Sequence, residues 1–145
     1  MLLTAKILLT VVTLGYSLIP AVADFNKTHA TNPKWLPHAR YHVVWQVSSN
    51  ICIALVALYL IWGSADRFGL SGLWLAAGLA ACAYVGFYAA AITKAIYSGA
   101  QHDVNGVQPV HVTIRRKRVA LDVNMTVFTI MSALLVVAAI LLMQF

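Results

Sequence analysis

Four apolar stretches, residues 2–22, 38–62, 73–97 and 119–142, dominate the chain, and three polar segments separate them. Each stretch reaches the length of about 20 residues that a helix needs to cross a bilayer. The pattern predicts an all-α fold, an integral membrane four-helix bundle with up-down topology. Residues 1–145 form a single four-span domain. Counting crossings places the first and third connections, residues 24–37 and 98–118, at the same surface. In the first, Pro33 and Pro37 bias the preceding residues away from helix, and Pro37 suits the first position of the second span. In the other, Gly99, Gly106 and Pro109 break helix, and the alternation of Val110, Val112 and Ile114 predicts a short strand-like or interfacial segment. Residues 63–72 form a short loop. On the third span Gly78, Cys82, Gly86 and Ala90 recur every four residues, a spacing that predicts close approach of a neighbouring helix.

The first stretch also looks like a secretory signal, with Lys6, an apolar run, and Ala21-Val22-Ala23 before Asp24. Its length suits a span, and it is read as a retained helix.

Composition sharpens this picture. Apolar residues make up 61% of the 145 and charged ones 10%, which excludes a soluble domain. Every acid is an aspartate, so a metal bundle built on Glu-x-x-His pairs is excluded. Cys52 and Cys82 form no C-x-x-C pair and read as small buried apolar residues. The net charge of +6 owes much to one run, Arg115, Arg116, Lys117 and Arg118, just before the last span. Beside a membrane helix such a run contacts anionic lipid headgroups, and no nucleic-acid partner is expected. The same surface holds Lys27, Lys34, Arg40 and Lys94, and the opposite one only Lys6 and Arg67. The positive-inside rule then puts the first and third connections in the cytoplasm and both termini on the other side. The signal-like start argues for the reverse.

All five histidines fall at that basic surface: His29, His38, His42, His102 and His111. His38 and His42 are four apart at the start of a helix, the spacing of paired helical metal ligands. The stripe continues through Gln46 to Ser49 and Asn50, deep enough to face a bundle interior or a wet cavity. Asp122 is expected about one turn inside the fourth span, where a carboxylate needs a partner; Arg40, Lys94, the basic run or a histidine could supply it. Tyr88 and Tyr84 lie one turn apart on the third span, and loop two adds His102 and Asp103.

Three readings follow. In one, a metal is bound by several of His29, His38, His42 and His102 with Asp103, or with Asp24 or Asp122 as the carboxylate, for which zinc or iron would suit imidazole and carboxylate. In another, His38, His42, His102 and Asp122 do acid-base chemistry on a lipophilic substrate entering from the bilayer, with Gln46, Asn50 and Tyr88 binding it. In the third, the polar groups merely lock the bundle together, and the chain is an accessory or scaffold subunit of a larger membrane complex or a homo-oligomer. His29 could equally stabilise its turn, and His111 faces the headgroups.

Thr28, His29, Asn32, Pro33, Trp35, Pro37, His38, Ala39 and His42 form a T-H-x-x-N-P-x-W-x-P-H-A-x-x-H pattern. It resembles the signature of a family of small four-span membrane proteins known only as a domain of unknown function. That resemblance implies a four-helix fold and no established activity.

Overall fold

Hydrocarbon offers the backbone no hydrogen-bond partners, so an apolar chain of this kind must satisfy its amides within helices. The computed structural model describes residues 1–63, 65–102 and 106–145. In it α1 spans Leu2–Asp24, α2 Pro37–Leu58, α3 Ala65–Thr93 and α4 Val123–Leu142. A π-turn, Tyr59–Gly63, extends α2, and a 3₁₀ turn, Lys94–Tyr97, extends α3. The protein is thus mostly helical, with four helices long and apolar enough to cross a membrane.

Three boundaries differ from the sequence reading. Helix α3 begins within the expected loop 63–72, and Gly69, with φ of 49°, absorbs the resulting kink. The fourth helix starts at Val123 and not at 119, because Lys117–Leu121 is a strand, β2, antiparallel to β1 (Val110–Ile114). The apolar alternation of Val119 and Leu121 fits a strand as well as a helix start, and pairing with Val112 and Val110 decides it. Asp122 consequently caps α4, its Oδ1 accepting the Met125 amide at 2.9 Å, and does not lie a turn inside the span. The turn between the strands holds Arg115 and Arg116 at φ of 49° and 67°, the signature of a primed hairpin turn.

Helix α1 is central and packs on all three of the others. Near its start, Ala5 and Leu9 meet Ala57, Leu60 and Ile61 from the end of α2, Leu73 and Ala76 from the start of α3, and Ala138 and Leu142 from the end of α4. These shared ends show that successive helices alternate in direction. At mid-length Val12 and Tyr16 pack with Ala54, Ala80 and Tyr84. Tyr84 Oη donates to the Val12 carbonyl at 2.6 Å. Gly15 permits this approach, since a Cβ there would sit 2.8 Å from both Met131 Cγ and Tyr84 Oη. The expected close contact at Gly78 and Gly86 is absent, for a Cβ at either would meet nothing within 4 Å. Cys52 and Cys82 are exposed and not buried as expected. Outward-facing Leu14, Leu18, Leu55, Leu75, Val85, Ile130 and Ile140 are also exposed, as suits helices long and apolar enough to cross a membrane.

The loop from α1 to α2 is built around two asparagines. Asn26 Nδ2 donates to the carbonyls of Val22 and Ala23 at 2.9 Å, satisfying the end of α1, while its Oδ1 accepts the Thr28 amide at 2.8 Å. Asn32, 2% exposed, donates from Nδ2 to the Thr28 carbonyl at 3.0 Å, and its Oδ1 accepts the Lys34 amide at 3.0 Å. Pro37 then opens α2 at its first turn.

Gly15→Val is expected to lower stability by about 1–3 kcal/mol through overpacking, while Gly78→Val leaves it unchanged; thermal unfolding in detergent compares the two. Asn32→Ala strands the Thr28 carbonyl and the Lys34 amide. It should cost about 1–3 kcal/mol and make the loop the first site of limited proteolysis.

Candidate functional site

A cavity of about 490 Å³ opens between the helices at the histidine-bearing end. Its floor is aromatic: Tyr16, Phe128 and Phe87 line it, with Tyr84 packed edge-on to Tyr16 and Phe128 beneath. Phe87 and Phe128 stack with centroids 4.2 Å apart. From α3, Cys82, Gly86 and Ala90 form one wall, so the small-residue stripe makes room for a void and not for a helix. From α2, Gln46 and Asn50 face it, and Asn124 of α4 joins them. Helix α1 supplies Ile19, Pro20, Ala23 and Asp24.

At the polar end stands a His–Asp pair. His29 Nδ1 lies 3.3 Å from Asp24 Oδ1. The imidazole is also 2.8 Å, through the same nitrogen, from Thr28 Oγ1. Thr28 has its own acceptors, Asn26 Oδ1 at 2.7 Å and the Ala23 carbonyl at 3.0 Å, so its one proton is committed there. Two oxygens therefore surround Nδ1 and favour the proton on that nitrogen. The neutral ring keeps its lone pair on Nε2, free to act as a base. Trp35 packs edge-on against the ring at 5.0 Å and fixes its plane; this indole is half-buried in the loop. The motif residues Thr28, Asn32 and Trp35 thus share one task, holding His29 beside the carboxylate that ends α1.

A second pair lies nearer the surface. His102 Nδ1 donates to Asp122 Oδ2 at 3.1 Å, while the other oxygen caps α4. The histidine is thus the partner that Asp122 takes among those expected. A smaller cavity, of about 210 Å³, is lined by both His102 and His29 together with Trp35 and Asn124. It shares His29 and Asn124 with the larger one.

The remaining site residues divide. His38 and His42 do pair, with Nε2 atoms 3.0 Å apart, but they are exposed and line neither cavity. The reason is helical pitch: steps of four residues drift by about 40°, so a stripe that starts outside the bundle at His38 has wound by about 120° on reaching Asn50. Gln46 and Asn50 therefore reach the cavity and the histidines do not. Tyr88 donates to Thr129 Oγ1 at 3.3 Å and ties α3 to α4. His111 is exposed on β1 opposite Ala120. Asp103 lies outside the described residues. Among the described residues, no three of His, Cys, Asp or Glu converge as a metal site. Of the expected set, His29 and His102 line the smaller cavity together, while His38 and His42 pair elsewhere on the surface. Asp24, close to His29 here, is in the sequence a candidate ligand beside the histidines, with nothing to pair it with His29 in particular. Its distance of five residues from His29 across a helix end hides the contact.

No curated protein and no solved structure matches this chain. A family model matches residues 7–127, a stretch that takes in most of α1, both His–Asp pairs and the first turn of α4. The chain therefore belongs to a family of unknown function, DUF6640.

Proposed function

We propose that this is a small membrane enzyme that holds a lipophilic molecule in the large cavity and moves a proton on it through His29. The observation that carries the reading is the His29–Asp24 pair at the polar end of a cavity whose floor is aromatic. A cavity of about 490 Å³ falls in the size range of small-molecule sites. In the proposed step Nε2 of His29 takes a proton from a carbon next to a carbonyl or double bond. Asp24 steadies the resulting imidazolium, as the aspartate does in hydrolase triads. The ring then returns the proton to a neighbouring carbon. The double bond shifts, no electron is gained or lost, and no co-reactant is needed.

The bundle is proposed to sit across the membrane with alternating helices, its histidine-bearing end in the cytoplasm. The excess of Lys27, Lys34, Arg40, Lys94 and Arg115 to Arg118 at that end supports this sidedness. The smaller cavity that joins His102 to His29 supports a path for protons from that surface.

Purified protein should carry a lipophilic molecule, detected by solvent extraction and mass spectrometry, and Gly86→Phe should empty the cavity without unfolding the bundle. In deuterium oxide the molecule should gain a carbon-bound deuteron. His29→Gln is expected to retain the molecule but slow this exchange by about a hundredfold or more. Equal exchange in the variant would show that His29 is not the base. An empty wild-type protein that copurifies with larger subunits would favour the accessory role.

A further inference from the structure

We infer that the cavity selects a neutral lipophile bearing a hydroxyl or carbonyl group, and rejects anionic lipids; this deepens the cavity-binding reading and rests on it. Three features of the lining lead there. The first is charge. Among the described residues no lysine or arginine lines the cavity, and its one carboxylate, Asp24, already faces His29. A fatty acid or a phosphate would bring a second negative charge beside Asp24 with no cation to meet it. Moving an unpaired ion out of water is among the costliest events in a protein interior.

The second is hydrogen bonding. Gln46, Asn50 and Asn124 bring three carboxamides to the cavity, and among the described residues none bonds another protein group. A carboxamide both donates and accepts, which matches a hydroxyl or a carbonyl and gives no preference for a full negative charge. Gln46 and Asn124 are exposed at the rim, and Asn50, one turn deeper on α2, is half-buried. The polar end of the ligand therefore lies near Asn50 and His29. The third feature is the stacked Phe87 and Phe128, which offer the rest of the ligand an apolar surface. The wall at Gly86 is open, with no atom within 4 Å of where a Cβ would stand, so bulk can be accepted there.

The test uses two photoreactive probes of equal chain length, diazirine-bearing hexadecanol and diazirine-bearing palmitic acid, with the full chain in neutral phosphatidylcholine vesicles. The alcohol should label the α3 segment around Cys82 to Ala90 at least about tenfold more than the acid, the ratio that a modest free-energy difference produces. Gly86→Phe should abolish the alcohol's labelling. Gln46→Lys, which places a cation at the rim, should raise labelling by the acid. Equal labelling by both probes, lost in Gly86→Phe, would overturn the selection while leaving the cavity as a binding site. The same holds if Gln46→Lys leaves the acid unchanged. Labelling that ignores Gly86→Phe would overturn the cavity reading itself.

Discussion

The hydrogen bond from Tyr84 to the Val12 carbonyl joins α3 to the central helix at mid-depth, and the rest of the architecture is arranged about it. In lipid, helix association gains little from the hydrophobic effect and depends on close packing and on polar contacts of this kind. Gly15 makes the contact sterically possible. Below it, small and branched side chains from all four helices pack together, beside a second cavity of about 320 Å³ lined by Leu60, Ile61 and Leu73. Above it, the same tyrosine supports Tyr16 and Phe128, the aromatic floor on which the cavity rests. One joint thus separates two ends that each hold a cavity, the larger at the histidine-bearing end.

The histidine-bearing half is shaped by what its residues lack. Glycine and alanine on α3 leave volume unfilled, and Pro20 on α1 leaves a carbonyl without its helical donor. The two His–Asp pairs come from helix ends and loops and not from the middles of spans. Asp24 ends α1, Asp122 starts α4, and both histidines that meet them belong to connecting segments. Helix ends are where an apolar chain can place charge near water while still facing a protected space.

Much of the fold was legible because bilayer thickness imposes a length that composition reveals. Strand β2 was not, since Val119 and Leu121 are apolar in either conformation and only the partner strand reveals the choice. Asp122 carried a usable signal as an aspartate before a helical run, the ordinary pattern of an N-cap. At the site, the contact between His38 and His42 followed from spacing, but which way the pair faces did not, because a helix has no outside until its neighbours are known. The pairing of His29 with Asp24 depends on a loop conformation written in Asn26, Asn32 and Thr28, and side-chain bonds to backbone of that kind leave no periodic trace.

Pro20 sits one turn before Asp24, and the helix is therefore joined across that level by one backbone bond fewer. The last turn of α1 is held instead from the loop side, where the Asn26 side chain takes up the carbonyls of Val22 and Ala23. The lower part of the same helix is clamped by the other three. Rigidity along this single rod thus has two sources, tertiary packing at one end and side-chain capping at the other.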